Sequence, residues 1–141
     1  MSKKILIIDD DPDAIGFLEC ILKDHGYESI HSLSSVTALN MARAQNPDLI
    51  LLDLFMPEKS GIRLFREIRE DPELGNIPVV VVSGMPQVTG VDVRTVIEKQ
   101  IEPSQNGVSH PSRTPEGLID KPIDPDKLIR IIRKIMNEGD P

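Results

Sequence analysis

Five polar residues stand where apolar runs of the sequence end, and their types suit phosphoryl chemistry. They are Asp9, Asp10, Asp53, Ser83 and Lys121. Carboxylates packed closely together repel one another unless a cation compensates them, and oxygen ligands suit a hard ion such as Mg²⁺. A divalent ion, an ammonium and a hydroxyl around a central carboxylate would bind a phosphoryl group. Asp53 is the best placed carboxylate to act as a nucleophile that forms an acyl phosphate.

These residues come together only if the apolar runs are parallel strands of one sheet. Short apolar runs alternate with amphipathic stretches along the chain, which is typical of an α/β fold with helices on both faces of a parallel sheet. Ligands bind at the carboxyl ends of the strands in such a sheet. The five predicted strands are residues 4–8, 27–32, 49–53, 79–82 and 117–120.

Five helices are expected to flank this sheet. Asp11-Pro12 and Asp124-Pro125 each offer an N-cap followed by proline, a favoured start for a helix. Ser35 is expected to open another helix with Val36 on its inner face, and a further helix is predicted near residues 93–101. Asp11 is therefore interpreted as a helix cap, separate from the two aspartates before it.

One segment breaks the alternation of strands and helices. Residues 102–117 are polar, rich in turn-forming residues and without periodicity, which predicts a long surface loop. The length of 141 residues suits a single domain. We expect one domain over residues 1–141, with no output domain after its last helix.

The composition argues against a nucleic-acid-binding, membrane-spanning or secreted protein. Sixteen basic residues against 23 acidic residues give a net charge of −7, which argues against direct binding to nucleic acid. No apolar run is long enough to span a membrane, and no signal peptide is recognisable. The single cysteine, Cys20, cannot form an internal disulfide and is expected to be a small buried group on the first helix. These features predict a cytoplasmic protein.

Four motifs together resemble the response-regulator receiver domains of two-component signalling. They are IIDDDP at 7–12, LLDLFMP at 51–57, VVVVSG at 79–84 and DKP at 120–122. Each motif is common by itself, but the four occur in the family's order on four predicted strand ends. The resemblance implies a flavodoxin-like, doubly wound sheet of five parallel strands flanked by five helices.

The resemblance also implies how phosphoryl transfer takes place. Asp53 would accept the phosphoryl group from a phosphohistidine of a sensor histidine kinase or a histidine phosphotransfer protein. Mg²⁺, for which Mn²⁺ could substitute, would be held by Asp10, Asp53 and the backbone carbonyl of Phe55, with Asp9 acting through water. Its charge would offset that of the phosphoryl oxygens.

A second group of residues would bind the phosphoryl group and respond to it. The resemblance assigns phosphoryl binding to Lys121, Ser83 and Gly84, and assigns the conformational switch to Ser83 and Leu118. The family usually has an aromatic residue at the position of Leu118, and a leucine has no hydroxyl or flat ring to report a rotation. The switch would shift an existing equilibrium by a few kcal/mol.

The resulting interpretation is a stand-alone receiver, not an enzyme, that signals by phosphorylation-dependent protein binding or by phosphorelay. Two alternatives remain open. A Mg²⁺-dependent aspartyl-phosphate phosphohydrolase would use the same nucleophile, but such enzymes usually carry an acidic residue where this chain has Phe55. A scaffold that resembles a receiver but is never phosphorylated would not need the set of Asp10, Asp53, Ser83 and Lys121.

Overall fold

Strands and helices alternate from residue 4 to residue 83, and a further strand and helix follow between residues 117 and 135, as the hydrophobic pattern predicts. A computed structural model describes residues 3–53, 61–83 and 115–136, apart from the side chains of Ile62 and Ser83. The elements in this part of the chain are β1 (Lys4–Ile8), α1 (Pro12–Asp24), β2 (Glu28–Ser32), α2 (Ser35–Gln45), β3 (Leu49–Asp53), α3 (Gly61–Glu70), β4 (Val79–Ser83), β5 (Gly117–Asp120) and α4 (Pro125–Ile135).

The five strands form one parallel sheet in the order β2-β1-β3-β4-β5. This is the doubly wound, flavodoxin-like order that the motifs imply, and it confirms the predicted fold class. The helix predicted near 93–101 and most of the loop predicted at 102–117 lie outside the described residues. Gly117, which the loop prediction included, is the first residue of β5.

Alternate residues of the strands supply two separate hydrophobic clusters, one on each face of the sheet. Side chains of a strand alternate between its faces, so a nearly continuous apolar run is buried on both sides. The cluster that includes α2 and α3 contains Leu6, Ile8, Ala38, Ala42, Ile50, Leu52, Leu64, Phe65, Ile68, Leu74, Ile77, Val79 and Val81. The cluster that includes α1 and α4 contains Ile5, Ile7, Ile15, Leu18, Ile21, Leu22, Tyr27, Leu49, Leu51, Val80, Val82, Ile119, Leu128, Ile129 and Ile132.

Two helices begin as the Asp-Pro pairs predict. The Asp11 side chain accepts the N–H of Asp13 at 3.0 Å, and Pro12 is the first residue of α1. The Asp124 side chain caps α4 in the same way, through the N–H of Asp126 at 3.1 Å. Both helices therefore start beside the carboxyl end of the strand that precedes them.

Two predictions about helix faces are wrong. Val36 is 61% exposed, because Ser34 caps α2 and the inner face of that helix consists of Ser35, Ala38 and Ala42. These small side chains allow α2 to lie close to the sheet. Cys20 is exposed because the inner face of α1 consists of Ile15, Leu18, Ile21 and Leu22.

Two ion pairs stabilise the end of the sheet at which the strands begin. Asp71, which follows α3, is buried, accepts Arg43 Nε at 2.9 Å and accepts the N–H of Glu73 at 2.8 Å. Arg69 donates to Glu116 and to the carbonyl of Ile77, and its guanidinium carbon lies 4.8 Å from the centre of the Phe65 ring. Charge-assisted hydrogen bonds of this kind link α2, α3 and the segment before β5.

Glu116 also contacts the sheet at this end. Its carboxylate accepts the N–H of Val79, the first residue of β4, at 2.7 Å, and its own N–H donates to the Val79 carbonyl at 3.0 Å. Glu116 therefore does not behave as part of a purely surface loop, although the loop prediction included it.

No helix in the described ranges 3–53, 61–83 and 115–136 is long and apolar enough to cross a membrane.

The Asp71 carboxylate is expected to make stability depend on pH. The hydrogen bond from the Glu73 backbone and the Arg43 guanidinium lower the pKa of Asp71 from its ordinary value of 3.8. A lowered pKa in the folded state stabilises the protein above 3.8 and loses this effect as the pH falls through the folded-state value. Asp71→Asn should reduce the free energy of unfolding by about 1–3 kcal/mol near neutral pH.

Urea unfolding at about pH 7 and about pH 3 measures this effect, and the difference between wild type and variant should shrink at the lower pH. Glu73→Gln is the matched control, because its exposed side chain lies in the same turn and should change stability by less than about 0.5 kcal/mol. A difference for Asp71→Asn that is equally large at both pH values would contradict the prediction.

Candidate functional site

The carboxyl ends of four neighbouring strands converge on one edge of the sheet. Asp9 follows β1, Asp53 ends β3, Ser83 ends β4 and Lys121 follows β5. Ile8 pairs with Leu52 across β1 and β3, so Asp9 and Asp53 come next on adjacent strands. The hydrogen-bonded sheet thus fixes the spacing of the polar residues at this edge.

Three carboxylates form the centre of the candidate site. Asp9, Asp10 and Asp53 each offer an oxygen such that these atoms lie within 4.8 Å of one another. Asp9 is 1% exposed and Asp53 is 5% exposed, whereas Asp10 is open to solvent. We call this group the acidic pocket. Buried carboxylates carry a large desolvation cost, so they need partners of opposite charge.

Lys121 supplies one such partner. Its Nζ lies 3.5 Å from Asp9 Oδ2 and 3.9 Å from Asp53 Oδ2. The ammonium therefore bridges the two buried carboxylates, as expected for a lysine that reaches over the edge of the sheet. The peptide bond between Lys121 and Pro122 is cis.

Within the described part of the chain, the acidic pocket contains three carboxylates and the Lys121 ammonium, which lies beside Asp9 and Asp53. The other atom of the Asp9 carboxylate, Oδ1, accepts the N–H of Asp11 at 3.0 Å. Three carboxylates that offer only oxygen ligands suit a small hard cation. The geometry is therefore compatible with a divalent metal next to the Asp53 carboxylate.

The three consecutive aspartates have three different environments. Asp9 is buried, Asp10 is exposed in the pocket and Asp11 caps α1. The interpretation of Asp11 as a helix cap is confirmed. Of the three, only Asp9 and Asp10 share the pocket, because the Asp11 side chain binds the N–H of Asp13 instead.

The remaining predicted site residues are only partly described. Phe55 and Gly84 lie outside the described residues, as does the side chain of Ser83, although Ser83 is the last residue of β4. Leu118 is half-buried, pairs with Val81 in the sheet and packs against the cluster that includes α2 and α3. Its assignment to the switch stays a prediction.

Sequence reasoning missed one contact of the pocket, at the end of β2. The N–H of Asp9 donates to the carbonyl of Ser32 at 3.2 Å, and Ser32 is 3% exposed. The signal in the sequence was a serine at the end of a strand, two residues before the serine that caps α2. Such a pair is common in turns and does not by itself indicate a site.

Comparisons with protein-family models and with known proteins agree on one family. A family model described as the response regulator receiver domain matches residues 5–106. The polar-differentiation response regulator DivK of Brucella ovis is 36% identical over 83 residues, which are 59% of this chain and 68% of that protein.

Solved structures share the fold. A putative response regulator from Chloroflexus aurantiacus aligns with a TM-score of 0.79 and 20% identity, covering 98% of this chain and 100% of that chain. The signal receiver domain of a signal transduction histidine kinase from Syntrophus aciditrophicus gives a TM-score of 0.77 and 26% identity, covering 96% and 91% respectively.

Removal of the Lys121 charge is expected to strengthen divalent cation binding. The ammonium lies beside two carboxylates of the pocket and repels a second cation. Lys121→Ala should therefore bind Mn²⁺ about fivefold more tightly, which corresponds to about 1 kcal/mol at a partly screened site. Electron paramagnetic resonance of free Mn²⁺ during a titration measures the affinity.

Lys134→Ala removes the same charge from the exposed last turn of α4 and serves as the matched control. Equal or weaker Mn²⁺ binding by Lys121→Ala, compared with this control, would show that the pocket's charge balance is not as described.

Proposed function

This chain belongs to the response regulator receiver domain family, and from that premise we propose that it accepts a phosphoryl group on Asp53. The donor is a phosphohistidine on a sensor histidine kinase or a histidine phosphotransfer protein. The signal passes on through phosphorylation-dependent protein binding or through phosphorelay.

The observation that carries this proposal is the position of Asp53 in the acidic pocket. Its carboxylate ends a central strand of the sheet, with Asp9 and Asp10 beside it and Lys121 Nζ at 3.9 Å. A nucleophile held at the end of a buried strand needs little reorganisation when it reacts. Among the described carboxylates of the pocket, Asp53 is the one on the innermost strand.

The transfer balances as a simple displacement. A carboxylate oxygen of Asp53 forms a bond to phosphorus while the bond from phosphorus to the imidazole nitrogen breaks, and the imidazole keeps the electron pair. The Lys121 ammonium would pair with a phosphoryl oxygen once the group is attached. This pairing would replace part of the attraction between Lys121 and the two carboxylates.

Mg²⁺ is the cation that we propose for the pocket, with Mn²⁺ as a substitute. Asp10, Asp53 and the backbone carbonyl of Phe55 would hold it, and Asp9 would contribute through water. The metal supplies positive charge against the phosphoryl oxygens. The fit rests on the oxygen donors of the three aspartates, whose ligand atoms lie within 4.8 Å of one another.

The response to phosphorylation is proposed to involve Ser83, Gly84 and Leu118. Ser83 and Gly84 would contact the phosphoryl group at the end of β4. β4 and β5 are paired, so a rearrangement at Ser83 would displace residues of β5. Leu118 lies on β5 and packs against the hydrophobic cluster that includes α2 and α3. An aliphatic side chain at position 118 would transmit such a change by repacking and not by the rotation of a ring.

We propose a cytoplasmic signalling domain that acts through protein partners. The DivK protein of Brucella ovis, to which the chain is similar, is a response regulator named for polar differentiation. The acidic net charge of −7 supports partners other than nucleic acid.

Phosphorylation of Asp53 is directly testable. Incubation with acetyl phosphate and Mg²⁺ should add the mass of one phosphoryl group to the wild type and nothing to Asp53→Asn, and EDTA should prevent the addition. Intact-protein mass spectrometry measures the change. Asp24→Asn, an exposed change at the end of α1, should be modified like the wild type, and modification of Asp53→Asn would exclude Asp53 as the acceptor.

The phosphohydrolase alternative predicts turnover. Two residues beyond Asp53 the chain has Phe55, which cannot act as a general acid or base. We therefore expect phosphate release from acetyl phosphate to be slow after each protein has been modified once. Sustained release of many equivalents of phosphate per protein, measured over the first minutes, would favour the hydrolase.

A further inference from the structure

A small cluster of hydroxyl groups lies where β2 ends and α2 begins. Its members are Ser32, Ser34 and Thr37, and we call it the hydroxyl cluster. Ser32 Oγ donates to the Ser34 carbonyl at 2.8 Å, accepts the Ser34 N–H at 3.3 Å and contacts Thr37 Oγ1 at 3.0 Å. The Ser32 hydroxyl therefore binds both backbone groups of Ser34 and forms the centre of this turn.

The same serine reaches the acidic pocket through its backbone. Its carbonyl accepts the N–H of Asp9 at 3.2 Å, just beyond the last β1–β2 pair, Ile8 with Ser32. The Asp9 carboxylate then contacts the N–H of Asp11 at 3.0 Å and Lys121 Nζ at 3.5 Å. Hydrogen bonds at Ser32 and Asp9, joined through the covalent structure of these two residues, thus connect Thr37 of α2 to the pocket.

The position of β2 makes this series important. β2 lies at the edge of the sheet and pairs with β1 alone among the described strands. The end of an edge strand lacks the support that a second neighbour gives. The hydroxyl cluster holds the end of β2 through contacts other than strand pairing. The hydrogen bonds of the buried Ser32 hydroxyl offset the cost of removing that hydroxyl from water.

We propose that the Ser32 hydroxyl is a positioning group for Asp9. It holds the turn after β2, the turn holds the Ser32 carbonyl, and the carbonyl fixes the backbone from which the Asp9 carboxylate extends into the pocket. Ser32 does not touch the metal or the phosphoryl group. The inference rests on the proposed function, because metal affinity is the property that the position of Asp9 would change.

The test compares the Mn²⁺ affinity of four variants. Each variant is titrated with Mn²⁺ alone, and electron paramagnetic resonance measures the free Mn²⁺ during the titration. Ser32→Ala removes the central hydroxyl, and Thr37→Val removes its exposed partner. Thr37→Ser keeps that partner. Ser29→Ala is the matched control, because it makes the same change on the same strand, where the hydroxyl contacts Glu19 of α1 at 3.5 Å.

Ser32→Ala is expected to weaken Mn²⁺ binding about threefold to tenfold. This effect is no larger than that of removing a residue that hydrogen-bonds directly to a metal ligand, because Ser32 acts through the backbone of Asp9. Thr37→Val should weaken binding less, while Thr37→Ser and Ser29→Ala should bind as the wild type does. Unchanged affinity in Ser32→Ala would overturn the proposal. If Ser32→Ala does not fold, the comparison of Thr37→Val with Thr37→Ser decides, and equal affinities overturn it.

A second readout needs no metal. Hydrogen exchange of the Asp9 amide, which donates to the Ser32 carbonyl, should become faster in Ser32→Ala, while the amides of β3 and β4 should change little. An equal increase at all core amides would show general destabilisation and would overturn the positioning role. If the wild type binds no Mn²⁺, the proposed metal site fails, whereas the exchange of the Asp9 amide still decides whether Ser32 holds Asp9.

Discussion

The repulsion between two buried carboxylates is the constraint on which this molecule's candidate site depends. Asp9 and Asp53 lie at the ends of hydrogen-bonded neighbouring strands, so they cannot move apart without disturbing the sheet. Lys121 lies beside both carboxylates, and Asp10 adds a third carboxylate within the described part of the chain. A cation bound among these three carboxylates would reduce their mutual repulsion further, which favours its binding.

The two edges of the sheet have different electrostatic properties. At the edge where the strands begin, Asp71 and Glu116 each face an arginine, and their charges are matched. At the opposite edge, the described residues bring three carboxylates close together, with the Lys121 ammonium beside two of them. The hydrophobic clusters on the two faces contribute most of the stability, and this contribution offsets the cost of holding like charges close together.

The fold and the centre of the site were predictable because they depend on local pattern. Continuous apolar strands and Asp-Pro helix caps specify the sheet and the starts of α1 and α4, and Asp9, Asp53 and Lys121 follow from the strand ends. The inner face of α2 was not predictable from apolar residues, because this helix packs through Ser35, Ala38 and Ala42 and leaves Val36 exposed. The contact of Ser32 with Asp9 and that of Asp71 with Arg43 join residues distant in sequence, which one sequence does not reveal.

Glu116 has a consequence for how the last strand joins the sheet. Its carboxylate accepts the first amide of β4 and pairs with Arg69, and its own N–H donates to the Val79 carbonyl. The start of β4, the end of α3 and the residue before β5 are therefore joined by contacts whose parts all lie outside residues 84–114. No substitution within residues 84–114 removes a donor or an acceptor of this junction.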